Sequence, residues 1–365
     1  MLVVGWIVFA AAMARTATLH GMQNSPKVAI LEQEGWAAIK AGKLAEAIDA
    51  FGEAIRLDPK NAWLRLGAGT AEFLARHDAE AKAQLEQALR LDATLVRARA
   101  QLAQVVKRQG DLQEAIRLYE VVVSEVPNDT AARDTLDRWK RERDLHERMR
   151  LEVGDFFTIS FEGAEDAALA ATALESLNRA FWRICDVFGA QPPKSVPVVL
   201  YTGEQFQDIT RSPKWAAAAF DGIIRVPMKG AGEKGEDLDR VLAHEFTHAL
   251  LRSIATRGLP AWLNEGLASV LESDNLDWAT ARLAKVDKAP SLTALSGSFG
   301  RLSGAEAQVA YATSAIAARR LLDEAGGAAI TNLLRDLAAG IDFETAFLHR
   351  IQRPFADFEA SLPDS

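Results

Sequence analysis

Cysteine is almost missing from this chain. Cys185 is the only one in 365 residues, so no intrachain disulfide can staple the fold. It sits in Phe-Trp-Arg-Ile-Cys-Asp-Val-Phe, where an apolar helical face makes it a small buried hydrophobe rather than a nucleophile. An excess of positive charge is also lacking. Forty-two basic residues against 50 acidic ones leave a formal net charge of −8, and no face is visibly basic, which argues against a nucleic-acid partner. The apolar run at residues 2–14 falls short of the roughly twenty residues of a membrane span. Its length suits the core of a signal peptide, with Ala12-Met13-Ala14 as a cleavage motif, although no basic segment precedes it. No cysteine follows it to carry a lipid. Residues 1–25 are therefore expected to be a signal peptide or a short hydrophobic segment, and the protein to be exported to the periplasm or cell envelope. A retained segment would leave weak membrane association open.

What is present describes an ordinary globular chain. Apolar residues make up 49% and charged residues 25%, and the length suits about two domains. The first third repeats itself. Gly42-Lys-Leu-Ala-Glu-Ala-Ile returns as Arg76-His-Asp-Ala-Glu-Ala-Lys and again as Gly110-Asp-Leu-Gln-Glu-Ala-Ile, a period of 34. Ala47, Ala81 and Ala115 fall in phase, followed by Phe51, Leu85 and Tyr119, then by Ala54, Ala88 and Val122. Small residues at the first position let two helices approach, and the larger residue four on fills the next interface. Gly35, Gly69 and Ala103 take the small position on the first helix of each unit. Residues 28–129 thus read as three tetratricopeptide (TPR) repeats, whose concave groove is the usual place for an extended peptide or a partner protein. Residues 130–150 continue as a charged capping or linker helix, with Leu136, Trp139 and Leu145 as its apolar stripe.

Strands enter at Phe156–Phe161, at Val196–Tyr201 and over residues 223–228, with a helix of about 165–189 between the first two. A Gly- and Lys-rich loop follows, and Glu236 and Asp237 suit the positive end of the next helix. That helix contains His-Glu-Phe-Thr-His at 244–248. Positions i and i+4 share a face, so His244 and His248 can offer two imidazole nitrogens to one ion, with Glu245 beside them to reach a water. The helix is apolar almost all round, and histidines buried there need a partner that satisfies them. Glu265 lies in Leu-Pro-Ala-Trp-Leu-Asn-Glu-Gly-Leu-Ala, in the second turn of a helix announced by Gly258 and Pro260. Two histidines and one glutamate with an open fourth position make the ligand count of a catalytic zinc site.

These two stretches together resemble the gluzincin metallopeptidases, and specifically the bacterial peptidase-MA-like domains. The likeness runs over about residues 150–360 and takes in Phe220–Pro227, residues 289–295 and residues 310–314. It implies His244, His248 and Glu265 as ligands of one Zn2+ ion, Glu245 as general base, and a strand beside the substrate cleft. The strand at 223–228 is expected to hold an extended peptide by edge pairing. Related peptidases use a tyrosine against the oxyanion, which makes Tyr311 the candidate; an ordinary core or surface tyrosine is the other reading. One position departs from the pattern. Where some gluzincins place an aspartate four residues after the ligand glutamate, this chain has Ser269. His20, His77, His146 and His349 lie outside any motif and are expected at the surface.

The expected architecture is an α-rich chain in two parts, an α-solenoid of TPR hairpins followed by an α+β zincin-like domain over 151–365 with a small sheet and a helical C-terminal lobe. The expected function is zinc-dependent hydrolysis of peptide or protein substrates, with the TPR module recruiting substrate or a partner protein. The alternative is a TPR scaffold whose peptidase-like domain is weak or inactive.

Overall fold

A computed structural model describes residues 25–163, 167–211, 218–227 and 235–362. The expected hydrophobic segment at 2–14, His20, the loop after Met228 and the side chains of Glu236 and Asp237 lie outside the described residues. The chain divides into two compact units, with the boundary between Glu147 and Arg148.

The first unit is a run of antiparallel helix hairpins. It comprises α1 (Pro26–Ala41), α2 (Leu44–Leu57), α3 (Ala62–Leu74), α4 (Asp78–Leu91), α5 (Val96–Arg108), α6 (Leu112–Glu125) and α7 (Thr130–His146). The in-phase alanines Ala47, Ala81 and Ala115 are fully buried, as are Phe51 and Leu85. A β-carbon on Gly35 would lie 2.7 Å from the Phe51 ring, and one on Gly69 would lie 2.7 Å from Leu85 Cγ. The small residue of one helix is therefore the seat of the large residue of the next. Caps at Asn61, Asp111 and Asp129 begin α3, α6 and α7 by accepting backbone N–H groups. Helix α7 closes the stack. Its Trp139 packs on Tyr119 with ring centroids 4.8 Å apart, and Leu136 and Leu145 are buried beside it. His77 differs from the surface position expected of it: its Nδ1 meets Glu72 Oε2 and the pair is largely covered.

The second unit begins with β1 (Arg150–Val153) and β2 (Phe157–Phe161), an antiparallel pair, then α8 (Ala167–Phe188), β3 (Val196–Tyr201) and α9 (Gly203–Thr210). A two-residue β4 (Ala219–Phe220) pairs antiparallel with β5 (Ile224–Pro227). The sheet order is β1-β2-β3-β5-β4, with β2, β3 and β5 parallel. Phe157, Ile159 and Phe161 alternate inward, as a half-covered strand must. The expected edge pairing at 223–228 is corrected here. Strand β5 is interior over Ile224 and Arg225, with β3 on one side and β4 on the other, so β4 forms that edge of the sheet.

Helices complete the unit: α10 (Gly235–Ile254), α11 (Ala261–Glu272), α12 (Asp277–Leu283), α13 (Gly304–Ala338, with a break at Gly326), α14 (Phe343–Ile351) and α15 (Phe355–Ala360). Phe246 of α10 meets Phe157 of β2 at 5.3 Å and Phe181 of α8 at 5.7 Å, which fixes α10 against sheet and helix. Trp262 of α11 is fully buried between Phe343 and Phe355. The result is a helix-rich molecule with TPR-like repeats and one small mixed sheet. Among the described residues, no helix is long and apolar enough to cross a membrane.

Candidate metal centre

Helix α10 is buried on nearly every side. Leu242, Ala243, Phe246, Thr247, Leu250 and Leu251 are covered, and the Thr247 hydroxyl satisfies itself on the Ala243 carbonyl at 2.8 Å. At 100° per residue, His244, Glu245 and His248 fall on the side away from Phe246. They face α11, whose first turn is set by Pro260 and whose second turn presents Glu265.

The structure brings the three expected ligands together. The Nε2 atoms of His244 and His248 are 3.2 Å apart, and Glu265 Oε2 lies 3.8 Å from the first and 3.5 Å from the second. Zinc–nitrogen bonds of about 2.0–2.1 Å in a tetrahedron require donor atoms roughly 3.3 Å apart. The donor set is thus within a few tenths of an ångström of what one zinc ion needs, and its chemistry, two imidazoles and a carboxylate, suits that ion. Among the described residues, these three form the group of metal-ligating side chains close enough to share an ion.

Electrostatics follow from three carboxylates and two imidazoles in a covered site. Burial pulls the His244 imidazolium down, but the Glu265 and Glu272 carboxylates outweigh it and hold its pKa at about 10. His248 is also raised, burial being overcome mainly by the Glu265 charge. Glu265 is driven the other way: burial would raise it, and the two histidines bring it far below the carboxylate range. Glu245 is 7% exposed, and burial lifts its pKa, with the histidines opposing. A carboxylate lifted in this way is suited to accept a proton and give it back.

Tyr311 of α13 belongs to the same cluster. Burial together with the nearby Glu265 and Glu245 charges raises the pKa of its hydroxyl strongly. Its ring rests edge-on against Phe299 at 5.4 Å. Ser269 is buried on α11, and the carboxylate at His244 comes from elsewhere. Glu272 Oε2 lies 2.8 Å from His244 Nδ1, while Arg240 Nη2 donates to Glu272 Oε1 at 2.9 Å. The sequence reading missed Glu272. Its signal was available, because Glu272 is seven positions after Glu265 and returns to the same helical face after two turns.

The tetratricopeptide repeat family matches residues 38–94. No curated protein matches the chain. Solved structures that resemble it include the first TPR of Spaghetti (RPAP3) bound to HSP90 peptide SRMEEVD, 26% identical with a TM-score of 0.32 over 33% of this chain and 98% of that one. The second TPR domain of human RPAP3, in complex with HSP70 peptide SGPTIEEVD, is 26% identical with a TM-score of 0.30 over 31% and 95%. The Arabidopsis OM64 TPR domain is 19% identical with a TM-score of 0.31 over 32% and 96%. The N-terminal region therefore carries TPR repeats, a module for protein interaction.

Proposed function

We propose that the protein is a zinc-dependent peptidase whose TPR module brings in a protein substrate or partner. One observation carries the reading. Two imidazole nitrogens and a carboxylate oxygen stand within 3.8 Å of one another, next to the buried Glu245. His244, His248 and Glu265 would hold the ion and leave a position open. A bound zinc supplies Lewis acidity, which polarises a scissile carbonyl and lowers the pKa of water.

The chain's own groups do the rest. Glu245 accepts the proton of the attacking water and passes it to the leaving amine; its raised pKa brings both transfers nearer to balance. Tyr311 stays protonated, so its hydroxyl is free to donate to the developing oxyanion. In the N-terminal unit, Arg97 of α5 sits over the Trp36 ring of α1, 5.8 Å from its centroid. This pair is a surface for peptide side chains of mixed character. Peptides bound by the similar TPR domains of the two RPAP3 proteins are acidic at their ends, and a peptide of that kind is the first partner to offer this module.

The second reading is a TPR adaptor whose C-terminal unit does not turn over substrate. The family match lies in the repeats alone and favours this reading to that extent. Zinc stoichiometry of the wild type and Glu265→Ala, with peptide-library cleavage by the wild type and Glu245→Gln, separates the two. One tightly held zinc, lost in Glu265→Ala, with cleavage abolished in Glu245→Gln, is the result expected of the peptidase. Stoichiometric zinc without cleavage, or no zinc at all, leaves the adaptor.

A further inference from the structure

We infer that Glu272 is the positioning residue of the metal centre, holding His244 in the one tautomer and ring orientation that can bind an ion, and that Arg240 in turn holds Glu272. The inference rests on the zinc site proposed above. His244 turns Nε2 toward His248 and Glu265, so a neutral, ligating ring must carry its proton on Nδ1. Glu272 Oε2 stands 2.8 Å from that nitrogen and accepts the proton's hydrogen bond. Its other oxygen takes the Arg240 guanidinium at 2.9 Å.

The four residues form a closed frame between two helices. Arg240 and His244 are one turn apart on α10, and Glu265 and Glu272 are two turns apart on α11. A rotation or slide of either helix that moved Glu265 from the histidines would also break the Glu272 bond. Glu272 thus sets the distance between the helices as well as the ring. Its side chain is only 16% exposed, so the bond is shielded from competing water.

The two histidines differ in this respect. His248 Nδ1 is buried and has no hydrogen-bond partner among the described residues. Orientation by a carboxylate is therefore supplied to one ligand alone, and removing Glu272 leaves neither imidazole fixed from behind. The carboxylate expected at position 269 is replaced in function by one lying three residues further along the same helix.

The test is zinc affinity, by competition with a chromophoric chelator, on the full-length wild type, Glu272→Ala, Glu272→Gln, Arg240→Gln and the Glu272→Ala/Arg240→Gln double variant. Outer partners of this kind are worth about ten- to a hundred-fold in metal affinity. Glu272→Ala should weaken zinc by that range. Glu272→Gln, which keeps an acceptor oxygen, should fall between it and the wild type. Arg240→Gln should weaken zinc by less, and should add nothing in the Glu272→Ala background, because it acts through Glu272. Thermal unfolding of the chelated proteins reports any purely structural role. Equal zinc affinity in the wild type and Glu272→Ala overturns the inference while leaving the zinc site standing. So does a loss of affinity that Arg240→Gln deepens independently. A wild type that takes up no zinc overturns both.

Discussion

Gly266 sits directly under Ser314. A β-carbon at position 266 would collide with the Ser314 carbonyl oxygen and would lie 2.8 Å from the β-carbon of Ala318. This is where α11 presses onto α13, and the close approach has a consequence for the site. Glu265 precedes Gly266 on α11, Tyr311 precedes Ser314 by three residues on α13, and the Glu265 charge acts on the Tyr311 hydroxyl. The glycine is what lets the two helices lie this close.

Gly266→Ala should therefore cost more than a helix glycine normally would. Replacing an unconstrained helical glycine by alanine stabilises by roughly 0.4–1 kcal/mol. Here the added methyl has no free volume, and overpacking should destabilise by about 1–3 kcal/mol instead. Differential scanning calorimetry should show a lower Tm for the C-terminal unit, and zinc affinity should fall as Glu265 is pushed off the histidines. A Tm equal to or above that of the wild type would contradict the packing described.

Cys185 is 5% exposed on α8, and burial pushes its thiol pKa up from 9.0 to about 11. At pH 8 the thiolate fraction is then roughly one in a thousand, since each unit is a factor of ten. Iodoacetamide should label the native protein slowly at that pH and the urea-unfolded protein quickly. The sign of the linked stability follows: the folded state holds this proton more tightly, so the contribution is intact below pH 9 and declines as pH rises toward 11. Rapid native labelling at pH 8 would show that the thiol is not covered.

Much of this was legible in the sequence, for reasons specific to each element. The 34-residue period betrayed the repeats because each small residue must face a large one, as Gly35 faces Phe51 and Gly69 faces Leu85. The cluster of His244, His248 and Glu265 was readable because helical geometry alone puts the two histidines on one face. Strands β1 and β4 were not readable. Leu151 and Val153 are 62% and 71% exposed, so β1 carries no inward alternation, and β4 has only two residues. Glu272 was missed because its bond to His244 crosses between helices 28 positions apart. The seven-residue spacing from Glu265 puts Glu272 on the right face of its helix, but that it meets His244 is visible only when both helices are laid side by side.

Phe51 offers a test of how separately the two units stand. It is fully buried in the first hairpins, packed against Gly35 and edge-on to Trp36 at 5.4 Å. Phe51→Ala should cost the repeats about 3–5 kcal/mol. His244, His248 and Glu265 all lie after Arg148, in the other unit. Two-transition melting should therefore show the repeat transition moved down, with zinc stoichiometry unchanged. Loss of zinc in this variant would mean that the repeats are needed to build the metal site.

Tyr311→Phe isolates the oxyanion role from the role of the ring. The ring packs against Phe299 and is retained in the variant, so the fold should hold, whereas the hydroxyl on which the Glu265 charge acts is removed. If that hydroxyl stabilises the transition state, kcat should fall by about a hundred-fold or more while KM changes little, since loss of one oxyanion donor costs roughly 10²–10³ in rate. Zinc affinity separates this from a simpler effect. Should the hydroxyl merely orient Glu265, Tyr311→Phe would weaken zinc and recover its rate at saturating metal. A variant with full zinc and an unchanged kcat would return Tyr311 to the ordinary core residue that the sequence also allowed.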